Sequence, residues 1–188
     1  MLQTARAILK RDPAAHSLWE VLLTYPGLHA LFWHRIAHFL ANHGRYVLAA
    51  LVSRFCTHRT GIIIAPEAQI GKRVFIDHGT GVVIGATAIV EDDVTILHGV
   101  TLGARDEVVN GRRHPYVRQG AFIGANAQVL GPISVGRYSK IGAGAVVLKD
   151  VPDNMTAVGN PARLVTHKRT GWVTYRYSEM IVGQRMEG

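Results

Sequence analysis

The sequence has one cysteine, Cys56, in 188 residues, so no disulfide can form within the chain and a reducing compartment is expected. That thiol lies in Leu51-Val-Ser-Arg-Phe-Cys56, beside apolar residues, which points to a buried structural residue rather than a nucleophile. Aromatic residues make up only 7%, so something other than bulky rings fills the interior. No stretch approaches the ~20 apolar residues of a membrane span. Met1-Leu-Gln-Thr-Ala-Arg-Ala-Ile-Leu-Lys10 has no apolar run long enough for a signal peptide. A cytoplasmic protein without a membrane partner is expected. Acidic residues are also scarce, 13 against 21 lysines and arginines, for a net charge of +8. Such a balance can serve nucleic acid, a membrane surface or a polyanionic small molecule. The basic clusters Arg112-Arg113-His114 and His167-Lys168-Arg169 are short and lack interleaved aromatics for base stacking, which disfavours nucleic acid. A phosphate-bearing cofactor accounts for part of the charge equally well.

What is present is a chain of single-domain size, 48% hydrophobic and 18% charged, too apolar to be disordered. The first sixty residues read as helices. Asp12-Pro13 reads as an N-cap and first turn of a helix carrying Leu18, Val21 and Leu22. Pro26 opens a second helix, with Leu28, Leu31, Phe32, Ile36, Phe39 and Leu40 at helical spacing, which Asn42-His43-Gly44 ends. A third, from Tyr46 to about Phe55, is mostly apolar and is expected to be buried.

From about Gly61 the period changes to six. Ile84, Val90, Ile96 and Leu102 form one register, and Val117, Ile123, Val129, Val135, Ile141 and Val147 form another. A small or β-branched residue follows four positions later: Ala88, Val94, Val100, Ala121, Ala127, Ile133, Ser139, Ala145 and Val151. This is the mark of a hexapeptide solenoid. Each hexapeptide is a short strand plus a turn, and three close a triangular coil of about 18 residues. The aliphatic points inward, the small residue fits the corner, and backbone bonds run between coils. Two breaks interrupt the register. Ile76 to Ile84 is eight residues, with two inserted around Asp77-His78-Gly79-Thr80-Gly81. Leu102 to Val117 is fifteen, with a loop carrying Arg112-Arg113-His114-Pro115. Breaks in a solenoid are where sites belong.

The segments Asp77-His78-Gly-Thr-Gly-Val-Val-Ile-Gly-Ala-Thr-Ala, Ile96-Leu-His-Gly-Val-Thr-Leu-Gly103, Arg113-His114-Pro115, Ile141-Gly-Ala-Gly-Ala-Val-Val and Ala157-Val-Gly-Asn-Pro-Ala-Arg163 resemble serine O-acetyltransferases, in order. Arg11-Asp12-Pro13-Ala14 and Gly27-Leu-His-Ala-Leu with Arg35-Ile36 extend the resemblance over roughly residues 11–166. It implies a mainly β fold, a left-handed parallel β-helix, although the general rule for parallel crossovers would give the opposite hand. The expected division is a helical region 1–60, a β-helix acyltransferase domain 61–166 with loop 103–116, and a C-terminal tail 167–188. The implied reaction moves acetyl from acetyl-CoA to the hydroxyl of L-serine, giving O-acetyl-L-serine for cysteine synthesis. His78 would be the general base, since imidazole titrates near working pH. By the same resemblance Asp12 and Asp77 hold the ammonium of serine, and Arg113 and His114 its carboxylate. Gly103, Ala125, Ala143 and Lys149 match the cofactor positions, in a groove between neighbouring subunits. No metal is called for.

The chain departs from the family in four places. The family's acid, fifteen residues before the histidine in a pattern like Asp-Ile-His-Pro-Ala-Ala, is here Ile63, in Ile63-Ile64-Ala65-Pro66-Glu67-Ala68. Glu67 is the nearest replacement in sequence. Losing such an orienting acid costs a serine protease about 10⁴ in rate. The acceptor therefore stays open between serine, a serine analogue and a sugar, as does a non-catalytic trimeric paralogue. Ala104-Arg105-Asp106-Glu107-Val108-Val109 replaces a Gly-Thr-Gly-Lys run. Few residues precede Arg11, so a homotrimer rather than a hexamer is expected. The chain ends Gln184-Arg185-Met186-Glu187-Gly188, whereas cysteine synthase captures a C-terminal isoleucine, which argues against that complex.

Overall fold

The computed structural model describes residues 1–105 and 108–165, so the predicted tail 167–188 lies outside the described residues. Four helices come first: α1 (Leu2–Arg11), α2 (Leu18–Thr24), α3 (Pro26–Asn42) and α4 (Tyr46–Thr60). Asp12 does not cap a helix N-terminus, contrary to the reading above. It ends α1 in an extended conformation. The cap of α2 is Ser17, whose hydroxyl accepts the Glu20 N–H at 3.1 Å while the Glu20 carboxylate accepts the His16 N–H at 2.8 Å. Pro26 opens α3 as expected, its missing N–H costing nothing in the first turn.

The third predicted helix is longer and less buried than expected. α4 runs on to Gly61, whose φ of +70° allows the left-handed C-terminal turn. Tyr46, Val47, Leu48, Leu51 and Phe55 are 48–75% exposed, because only a narrow stripe including Ala49 and Cys56 packs inward. Burial pushes the Cys56 thiol's pKa up, which suits a structural role.

The remaining strands wind into a triangular stack. One face holds β1 (Ile63–Ile64), β4 (Val83–Ile84), β7 (Thr101–Gly103), β10 (Gln128–Leu130) and β13 (Val146–Val147). The second holds β2 (Gln69–Ile70), β5 (Ile89–Val90), β8 (Tyr116–Val117) and β11 (Ser134–Val135). The third holds β3 (Phe75–Ile76), β6 (Thr95–Ile96), β9 (Phe122–Ile123), β12 (Lys140–Ile141), β14 (Thr156–Val158) and the antiparallel β15 (Arg163–Val165). Every other pairing is parallel, and the stack is a left-handed β-helix preceded by helices. The ten aliphatics of the six-residue registers are at most 2% exposed. Among the corner residues Ile133 is only half-buried, and Ser139 is fully buried with its hydroxyl donating to Gly136 O at 2.7 Å. The register breaks are absorbed at corners: Ile63 pairs with Val83, Val83 with Thr101, and Thr101 with Gln128 across the nine extra residues.

Neighbouring coils exchange backbone hydrogen bonds in both directions, as Ile63 N–H donates to Val82 O and Asp93 N–H to Lys72 O. The first-coil carbonyls that face away from the second coil have no coil above them. Side chains of the helical region take that place. Thr57 donates to Ile62 O at 3.2 Å, Ser53 to Ile64 O at 3.1 Å, His38 Nδ1 to Pro66 O at 2.7 Å and Arg35 to Gly71 O at 2.6 Å. Contact is close: a Cβ on Gly27 would stand 2.0 Å from Ile76 O.

His34 is 4% exposed in this seam, and its Nδ1 has no hydrogen-bond partner among the described residues. Burial, then the neighbouring His38 and Arg35 charges, push its pKa down to about 4. An unfolded histidine titrates near 6.5. Between those values the unfolded chain binds the extra proton, so His34 withdraws stability as pH falls from about 6.5 to about 4. Chemical denaturation across this window should show a loss of stability that His34→Leu flattens. An identical slope in the variant would remove His34 as the cause.

Candidate active site

The two residues inserted between β3 and β4 push Asp77-His78-Gly79-Thr80-Gly81 out of the corner. Gly81 N–H ties this turn to Gly61 O at 2.9 Å, and Thr80 N–H donates to His78 O at 3.0 Å. His78 itself has a φ of +56°, a left-handed conformation shared by Arg73, Asp93, Asn126 and Tyr138 at other turns of the coils. It aims the imidazole outward, 79% exposed, with Nε2 3.8 Å from Asp77 Oδ1. One coil on, His98 stands at the matching corner, its ring 6.2 Å from that of His78. The Asp77 carboxyl is pushed up by burial and by the Asp12 charge, against the pull of His78 and His98.

Asp77 and His78 open into a cleft of about 670 Å³, closed on the helical side by Asp12 and Tyr25 and floored by Leu97 and Phe122. Asp12 reaches it because α1 stops there. Arg11, the last residue of α1, donates to Arg73 O at 3.1 Å, Asp93 O at 3.3 Å and Asp93 Oδ1 at 2.6 Å, pinning the helix end to the coils. Arg73 braces the same carboxylate at 2.7 Å. Asp12 Oδ1 accepts the Ala14 N–H at 2.8 Å, and Oδ2 accepts the Tyr25 hydroxyl at 2.6 Å.

The structure thus gathers three of the five proposed catalytic and acceptor-binding residues, Asp12, Asp77 and His78, into one cleft. Arg113 and His114 do not line it. They lie by the next corner of the triangle, after β4. Thr87 Oγ1 accepts the backbone N–H of both, at 3.0 and 3.1 Å. His114 is 6% exposed, and its Nδ1 accepts the Thr87 N–H at 3.2 Å, so the ring proton sits on Nε2. Burial, then the Arg113 charge, pull the His114 pKa down, and the ring offers a neutral N–H rather than a cation. Arg113 is exposed and carries the positive charge of the pair.

Strand register also sorts the proposed cofactor residues. Ile96 pairs with Ile123 and Ile123 with Ile141, so His78, His98, Ala125 and Ala143 occupy one column down one corner. Gly103 ends β7 and Lys149 follows β13 shortly after its end, both at the opposite corner of the same face. Ile63 heads that face, 45% exposed, where an acid was expected. Glu67 does not replace it in this cleft. It lines a separate pocket with His34, Arg35 and His38, at the corner between β1 and β2.

The hexapeptide family described as bacterial transferase hexapeptide (six repeats) matches residues 114–149. The serine acetyltransferase of Mycobacterium tuberculosis is 53% identical over 160 residues, covering 85% of this chain and 69% of its own. The chain belongs to the serine acetyltransferase family. Among solved structures, the serine acetyltransferase of Brucella abortus in complex with coenzyme A superimposes with a TM-score of 0.83 at 46% identity, covering 86% of this chain. The soybean serine acetyltransferase complexed with serine gives 0.82 at 47% identity over 87%. This chain spans 64% of the Brucella chain and 67% of the soybean chain.

Two site residues of this serine acetyltransferase family member went unmarked in the sequence reading. His98 carried a signal: it stands twenty residues after His78, the pairing offset of Phe75 with Thr95 across the first break. Tyr25 carried none, since its bond to Asp12 depends on the angle between α1 and α2. A testable detail follows from Gly85, where an added Cβ would lie 2.0 Å from the His114 ring. Gly85→Ala should displace that ring from Thr87 and return its titration toward the ordinary histidine range, read by imidazole NMR. An unshifted titration would mean that the seat is looser than drawn here.

Proposed function

We propose that the chain catalyses acetyl transfer from acetyl-CoA to the hydroxyl of L-serine, with His78 as general base. The observation that carries this reading is the convergence of an outward imidazole with two carboxylates in one cleft. Asp12 and Asp77 suit the ammonium of an amino acid; a sugar acceptor has no group that needs them. The carboxylate goes to Arg113, which offers a bidentate fork, and to the His114 Nε2–H.

His78 takes the proton of the serine hydroxyl as that oxygen attacks the thioester carbonyl. The tetrahedral adduct collapses with cleavage of the C–S bond, and the imidazolium returns the proton to the departing thiolate. The products are O-acetyl-L-serine and free CoA, without a covalent enzyme intermediate. The column His78, His98, Ala125, Ala143 and the flanking Gly103 and Lys149 suit a long cofactor laid along the coils. The ammonium and carboxylate groups stand at different corners of one chain, and a homotrimer would bring one subunit's Asp12, Asp77 and His78 against a neighbour's Arg113 and His114. The product would feed cysteine synthesis.

A second reading, a non-catalytic trimeric paralogue, has one observation in its favour: Ile63 gives His78 no orienting acid. Asp77, at 3.8 Å, is then the counter-charge left to the imidazole. Thiol release from acetyl-CoA with a panel of amino-acid and sugar acceptors decides between the readings. With L-serine, His78→Ala should lower kcat by about 10²–10⁴ while light scattering still reports a trimer. Arg113→Ala should raise the serine KM and leave the acetyl-CoA KM in place. A variant lacking His78 that keeps more than about a tenth of the rate would defeat the general-base mechanism.

A further inference from the structure

Asp12 is held differently from the other acid of the cleft. Asp77 belongs to a coil, and its place follows from strand register. Asp12 lies between helices, and its carboxylate has to be oriented by what surrounds it. Both oxygens are engaged: Oδ1 by the Ala14 N–H and Oδ2 by the Tyr25 hydroxyl. The hydroxyl is itself well placed. Tyr25 is the hinge between α2 and α3, and the following Pro26 confines it to the extended conformation that it shows, φ −82° and ψ 108°. Its ring packs on the small second core of Ile8, Val21, Leu28 and Phe75, leaving the oxygen at the lip of the cleft.

We propose that Tyr25 is a positioning residue for the acceptor: its hydroxyl fixes the Asp12 carboxylate in the orientation that receives the substrate ammonium beside Asp77. This inference rests on the amino-acid acceptor proposed above. The physical reason is that two carboxylates facing one cleft repel, and an unrestrained Asp12 would turn toward solvent. A charge-assisted hydrogen bond from a half-buried, packed ring opposes that rotation at its source. It leaves the second lone pair of Oδ2 free for an ammonium proton. The phenol shows the reciprocal effect, its own ionisation pushed up by burial, then by the bond to Asp12 and by the charges of Asp12, Glu20 and Asp77.

Tyr25→Phe removes the hydroxyl and keeps the ring in the second core. The serine KM should rise about tenfold, as for a lost bond to a charged group, with kcat and the acetyl-CoA KM within about twofold. An unchanged serine KM overturns the proposal, and so does an equal rise in both Michaelis constants, which would make Tyr25 a strut of the fold. A second measurement needs no turnover. Ultraviolet difference titration follows the six tyrosines of the chain. Asp12→Asn should move one of them to lower pH, and an unmoved titration also overturns the proposal. If the titration moves but the wild-type protein releases no thiol with L-serine, the acceptor assignment fails and the Tyr25–Asp12 link stands.

Discussion

Everything in this molecule depends on one constraint: each coil must pair its backbone N–H and C=O groups with those of its neighbours while keeping an aliphatic side chain turned inward. A hexapeptide satisfies both demands only if strand and corner keep their length. Extra residues can therefore leave the stack only at corners, as they do at Asp77–Gly81 and in the loop after Gly103. Because the interior is filled by Ile, Leu and Val at six-residue spacing, no charged group has reason to point inward. The chemistry-bearing side chains that the coils carry are consequently displayed on faces and corners, in columns set by strand pairing.

The electrostatics follow from that display. His78, at a corner, stays largely exposed, while Asp77 beside it is half-covered by the helical region and feels both desolvation and a second carboxylate. A cleft with two acids side by side is costly when empty and favourable to a cation. Arg11, Arg73 and Asp93 form the brace that makes this proximity durable, joining the end of α1 to the turns of the coils at 2.6–3.1 Å.

The β-helix was legible because its signal is periodic: an aliphatic every six residues leaves little room for another fold, and the two register breaks located His78 and the Arg113 loop directly. The helical region was less legible. Asp12-Pro13 fits the pattern of a helix start, yet the backbone reaches Asp12 from a helix already formed, and Ser17, five residues further on, provides the true cap of α2. The α4 sequence is apolar, and apolarity alone could not say that much of its surface faces out within one chain. Site residues supplied by the coils could be placed by counting. The partnership of Tyr25 with Asp12 could not, because it depends on the packing of three helices. Glu67 illustrates the same limit: near His78 along the chain, it lies on another corner.

The side chains that seat the helical region on the first coil bear on how this chain avoids its own kind. A stack of parallel coils ends in an edge of unpaired N–H and C=O groups, and a bare edge is a template on which another chain could pair, as in a fibre. Here Thr57, Ser53, His38 and Arg35 occupy carbonyls of that edge singly, with side-chain donors rather than a strand. At the far end β15 turns back antiparallel along β14 and shields that edge. The stack is thus stoppered at its helical end, and at the other end β15 guards one face.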